Sequence, residues 1–282
     1  MKKSRLSVVI VISSILLVSL PSFATFSITA VDTVTREVGS AGASCIAGSI
    51  ILSDVHPNKG VIHTQASYLS ANQTKARGFM NAGYTPQQIV DSVVKYDAQG
   101  NPAPRQYGVV DLTNNGRTAG YSGAGCTDYK GHILGKTYTI QGNILLGKKI
   151  LDSMEVRFKR TNGTLADKLM AALQGAKVKG ADTRCNIYNK STISAFIRVA
   201  KPGDTNKFYL DINVQDTPNN KDPIDSLQKL YDKWLSTHVI TTDPSSIKDL
   251  TILGRNYPNP FTRSTKIAYT LFKPLPVEIK IL

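Results

Sequence analysis

The chain has 282 residues, 34 basic against 20 acidic, for a formal charge of +14, with 41% hydrophobic and 7% aromatic residues. This balance excludes a disordered polyampholyte, a collagen-like repeat and a multispan membrane protein, and the length suffices for one sizeable domain plus a small appendage. Lys2, Lys3 and Arg5 supply three of the charges, and the stretch from Thr25 to Thr242 carries +8 without a Lys/Arg block or an aromatic-basic repeat. Charge spread in that way describes a solvated surface and not a nucleic-acid groove.

Residues 1–24, MKKSRLSVVIVISSILLVSLPSFA, read as a secretory signal: a basic start, an apolar run from Leu6 to Leu20, Pro21, then small residues at Ser22 and Ala24. The run falls short of the roughly 20 residues that cross a bilayer, so no integral membrane span is expected. Cleavage after Ala24 predicts an exported protein, in the periplasm, at the cell surface or outside the cell. It also leaves Thr25 first. An N-terminal threonine carries its own general base, because its free α-amine has an ordinary pKa of about 7.7 to 8.0 and sits one carbon from the hydroxyl.

Further along, β-branched and alternating residues predict strands over Thr25–Asp32 and Glu37–Cys45, paired as a hairpin, and a third strand over Gly60–Gln65. Helices are expected over Asn72–Ala82 and from Thr85, with Pro86 in the first turn and Ile89, Val93 and Val94 facing inward. Asn114-Asn115-Gly116 joins strands Gln106–Leu112 and Arg117–Tyr121. A short strand, Tyr138–Gln141, leads into Gly142-Asn143 and a helix read from Ile144 to Lys159. Thr164 and Asp167 open a second helix as a capping box. Strands Thr192–Val199 and Lys207–Val214 form another hairpin, and a helix runs from Pro223 to Trp234. Blocks of antiparallel hairpins and helix pairs predict α+β layers and not a doubly wound sheet. The domain is placed at 25–238, a linker at 239–253, and a β-rich tail at 254–282.

Thr25-Phe-Ser-Ile-Thr-Ala-Val-Asp32, Gly39–Ser44, Thr64-Gln65-Ala66, Gln106-Tyr-Gly-Val-Val-Asp111, Gly131-His132, Gln141-Gly-Asn-Ile-Leu145 and Gly180-Ala-Asp182 occur in that order. Together they resemble the DUF1028 family, an uncharacterised branch of the N-terminal-nucleophile (Ntn) hydrolase superfamily. The resemblance implies a four-layer αββα sandwich of two antiparallel sheets, with Thr25 as nucleophile and its amine as base. It also implies hydrolysis of an amide bond, in a small amide or short peptide, through an acyl-enzyme. Ser44, at the end of the second strand, would orient the amine. Asn143, read at a strand-to-helix junction, would serve the oxyanion through its amide or the helix-start N–H groups. Gln65, Asp182 and Arg184 would contact substrate. No lysine maps onto the cationic helper of proteasome-type relatives, and no cofactor is implied.

A second resemblance lies in the tail. Tyr257-Pro-Asn-Pro-Phe261, followed by Thr265, Ile267, Tyr269, Leu271, Val277, Ile279 and Ile281, is similar to the type A sorting domain of the type IX secretion system. The expected partner is then the secretion machinery. The tail is too short for the whole sorting sandwich and reads as an incomplete one. Cys45, Cys126 and Cys185 predict one disulfide and one free thiol, with the pairing open. Cys126 and His132 lack partners at metal-ligand spacing, so no metal site is expected. Two function classes follow: an exported N-terminal-threonine hydrolase, or a binding module on an Ntn-type scaffold that no longer catalyses.

Overall fold

Strand β1 (Thr25–Val31) is buried along both faces, so the sequence TFSITAV must be covered twice. The structure, a computed structural model, describes residues 25–238, 251–257 and 265–271. The expected export signal, most of the linker and the Pro-Asn-Pro turn lie outside the described residues. The chain divides into two compact units, residues 1–232 and 233–282.

In the larger unit β1 pairs antiparallel with β2 (Val38–Ser44) on one side and β8 (Tyr138–Asn143) on the other. Strands β9 (Ser194–Ala200), β10 (Leu210–Val214) and β7 (Gly131–Leu134) complete a six-stranded sheet of order β10-β9-β2-β1-β8-β7. A second antiparallel sheet has the order β3-β4-β5-β6, from Ser53–His56, Gly60–Ala66, Arg105–Asp111 and Arg117–Ser122. The class is therefore α+β, as expected from the order of elements. Both hairpins flanking the turns at 32–37 and 113–116 form as read.

Helices α1 (Ser70–Asn81) and α2 (Pro86–Lys95) put Ala76, Met80, Ile89, Val90 and Val93 against Ile62, Tyr107, Val109 and Ala119 of the second sheet. Helix α2 opens on a complete capping box between Thr85 and Gln88. Helices α3 (Lys149–Arg160) and α4 (Leu165–Ala176) pack on each other, and α4 lies on β1, β2 and β9. Thr164 and Asp167 form the second capping box. The two sheets meet through β1 against β4 and β5, and β8 against β5. Helix α5 spans Pro223–Thr237. In the smaller unit β11 (Thr251–Tyr257) and β12 (Lys266–Leu271) form an antiparallel pair; β11 starts inside the stretch read as linker.

Two expectations need correction. Strands β3 and β7, four residues each, are additional to those read from sequence. Asn143 is not at a helix start: it ends β8, and α3 begins only at Lys149. Between them Ile144 takes a left-handed φ of 54° and Gly147 a φ of 157°, both outside helical space, so the apolar spacing from Ile144 cannot continue as helix.

Candidate active site

Alternation on β1 turns Phe26, Ile28 and Ala30 to α4 and Thr25, Ser27 and Thr29 to the other sheet. Register then decides what surrounds Thr25. Ser44 of β2 stands opposite it on one side and Asn143 of β8 on the other, all three fully buried. Opposed residues share a face, with Cβ atoms about 4.5–5.5 Å apart. The Thr25 hydroxyl donates to Ser44 Oγ at 3.2 Å. Neither the amide nitrogen nor the amide oxygen of Asn143 has a hydrogen-bond partner. Ile144, held left-handed just beyond, is a strained β-branched position. It is fixed by its N–H to Thr127 O at 3.0 Å and by Thr183 N to its carbonyl at 3.1 Å.

The closing element is a 3₁₀ turn, Thr183–Tyr188, capped by Asp182. Asp182 Oδ2 accepts the Cys45 N–H at 2.8 Å, directly after Ser44, and a disulfide joins Cys45 to Cys185. Asp182 also bridges to Leu145, two residues past Asn143. The turn is thereby fastened to both strands that flank Thr25. Arg184 pairs with Asp182 through Nε–Oδ1 at 3.2 Å and Nη2–Oδ2 at 3.1 Å. Burial pushes the Asp182 carboxyl above its ordinary range, against the pull of Arg184 and of the Cys45 and Arg184 N–H groups. Gly180 approaches this turn with φ 68°, a conformation that suits glycine.

Deeper along the same face lies a polar layer. Gln106 Nε2 donates to the carbonyls of Gly142 at 2.9 Å and Gly131 at 3.1 Å, which fixes its amide orientation. Its Oε1 therefore accepts from Gln65 Nε2 at 2.7 Å, and Gln65 Oε1 accepts the Ser27 hydroxyl at 2.6 Å. With that proton assigned, His63 Nδ1, 2.9 Å from Ser27 Oγ, is the donor of their bond. The His63 Nε2 lone pair is left without a partner. Burial, and then the charge of Arg198, hold the imidazole down to about 3, so it stays neutral. Gln141 Nε2 adds a bond to Ser27 Oγ at 2.7 Å.

The DUF1028 family model, described as a family of unknown function, matches residues 25–227. The chain belongs to the DUF1028 family. Its first matched residue is Thr25, the first residue of β1. A DUF1028 protein of Silicibacter pomeroyi, known from a crystal structure, is similar at 25% identity and a TM-score of 0.63, over 75% of this chain and 89% of that one. No curated protein matches the chain.

Of the residues singled out from sequence, this DUF1028 fold brings Thr25, Ser44 and Asn143 together. Asp182 and Arg184 lie on the turn fastened beside them, bonded to each other. Gln65 sits farther in, bonded to Ser27 and Gln106. Cys126 is a buried free thiol 3.3 Å from Arg105 O, and burial pushes it up to about 11, far from a thiolate nucleophile. Ser27, His63, Gln106 and Gln141 were not assigned roles from sequence. The signal for Gln106 and Gln141 was present, since each opens or closes a glycine-bearing strand motif.

Proposed function

We propose that this DUF1028 chain is an exported N-terminal-threonine hydrolase that cleaves an amide bond through an acyl-enzyme. The observation that carries the reading is Thr25 at the start of β1, its hydroxyl on Ser44, facing a buried Asn143 amide with both ends unbonded. Contacts of α1 and α2 on one sheet, α4 on the other, and sheet against sheet agree with the αββα sandwich of Ntn hydrolases. The family match opening on Thr25 agrees with cleavage after Ala24.

In the mature chain the Thr25 amine takes the hydroxyl proton as Oγ1 attacks the carbonyl carbon. Ser44 orients the pair. The Asn143 amide nitrogen donates to the oxyanion from a buried position. The amine then returns the proton to the leaving nitrogen, the C–N bond breaks, and water repeats the cycle on the ester to Thr25. The β11–β12 pair and the Tyr257–Phe261 motif support a sorting role for the tail in type IX secretion.

The deciding experiment is mass spectrometry of the secreted N-terminus joined to an amide-substrate screen of wild type and Thr25→Ala. A free Thr25 and turnover lost in the variant are expected. Equal turnover by both proteins rules the threonine mechanism out, and turnover by neither leaves the binding-module reading standing.

A further inference from the structure

A serine–histidine pair lies where β6 and β7, the terminal strands of their sheets, come together. Ser122 ends β6 and His132 lies in β7, and Ser122 Oγ is 3.0 Å from His132 Nδ1. Register places them on the faces that the sheets turn to each other: Ser122 opposes Gln106 and His132 opposes Gln141. The pair is accessible, His132 exposed and Ser122 half-buried.

Ser122 Oγ has a second side-chain partner in Gln106. Gln106 Nε2 lies 2.7 Å from Ser122 Oγ and shares its two hydrogens among that oxygen and the carbonyls of Gly142 and Gly131. The serine oxygen accepts on that side and keeps its own proton, which in the Nε2–H tautomer of His132 is donated to Nδ1. Burial alone lowers the His132 pKa from its ordinary value, and no carboxylate contributes to the shift, so the ring is a neutral base at neutral pH. A hydroxyl bonded to a neutral imidazole is the arrangement that activates a serine.

We propose that Ser122 is an activated nucleophile, with His132 as its base, that takes acyl groups from esters at a site separate from Thr25. As Ser122 Oγ bonds to the ester carbonyl carbon, its proton passes to His132 Nδ1. The imidazolium protonates the departing alkoxide as the ester C–O bond breaks. Water then bonds to the acyl carbon as His132 takes its proton, and the imidazolium returns that proton to Ser122 Oγ as the ester bond to the serine breaks and the carboxylic acid leaves.

An alkyl fluorophosphonate tests this without a known substrate, since Ser122 Oγ bonds to phosphorus as fluoride leaves. Intact-mass analysis and peptide mapping of the full chain are expected to find one adduct on Ser122, retained in Thr25→Ala and absent in Ser122→Ala. His132→Ala should slow labelling by about a hundredfold, the size typical of a lost general base, and added imidazole should restore part of the rate. No adduct on Ser122 in the wild type, an adduct confined to Thr25, or equal labelling of His132→Ala overturns the proposal. The wild-type mapping decides even if a variant fails to fold.

Discussion

Asn143 faces Thr25 across the β1–β8 ladder with both ends of its amide buried and unbonded. An orphaned buried polar group costs about 1–3 kcal/mol, so Asn143 is a liability to the scaffold alone. Asn143→Ala is expected to leave stability unchanged or raise it by about 1 kcal/mol. Turnover of the amide found for Thr25 should fall by about 10²- to 10³-fold, as when an oxyanion donor is removed. Urea unfolding and turnover on the same preparation check both halves. Lost stability with full turnover would assign Asn143 to the scaffold.

The Cys45–Cys185 bridge closes a loop of 140 residues. Chain entropy alone gives such a loop about 5 kcal/mol, and measured bridges usually give 2–4 kcal/mol. Cys45→Ser with Cys185→Ser is therefore expected to lower unfolding free energy by about 2–5 kcal/mol. Urea titration of this double variant against wild type, with and without a thiol reductant, measures it; reductant should move only the wild type.

His63 gives stability a pH dependence of known sign. Its folded value, about 3, lies below the ordinary 6.5, so between those limits the unfolded chain binds the extra proton. The stabilisation is whole above pH 6.5 and is lost as pH falls toward 3, at no more than about 1.4 kcal/mol per unit. In His63→Gln that slope should flatten. Denaturant melts at half-unit steps from pH 7 to 4 compare the two, and parallel curves would show that His63 does not titrate on unfolding.

At Gly108 the sheets approach closely, since a Cβ there would meet Gln141 Oε1 and Thr139 Oγ1. Those atoms are bonded to each other at 2.8 Å and have little room to retreat. Gly108→Ala is expected to cost about 1–3 kcal/mol through overpacking, read as a lowered Tm. An unshifted Tm would mean that the layer yields.

The long periodic elements were legible because burial and sequence agree in them. In α2 the Thr85 cap, Pro86 and the apolar spacing of Ile89 and Val93 all point to one helix. Strand β3 was not legible: Ser-Asp-Val-His offers no alternation, and its ladder with β4 forms only once the turn at 57–59, with Asn58 at φ 62°, brings the chain back. The strand and hairpin around Thr25 were readable, and so were Ser44 and Asn143 through the family's motifs. The polar layer was not. Ser27 and Thr29 alternate with Phe26 and Ile28 just as a solvent-facing strand would, and only the amides of Gln65 and Gln141, brought from distant positions, turn that face into an interior. The Cys45–Cys185 pairing likewise depends on where the 3₁₀ turn closes, which no local pattern encodes.

Directed bonds fill the space between the sheets where oily side chains would be usual. An apolar interlayer lets two sheets slide by fractions of a residue at little cost, because van der Waals contact has no preferred partner. Here the Gln106–Gln65–Ser27 chain ties three strands from two sheets, and a slip of a single residue would break all of its bonds together. The layer works as an indexing pin: it holds the first residue of β1 at one fixed depth relative to the opposing sheet.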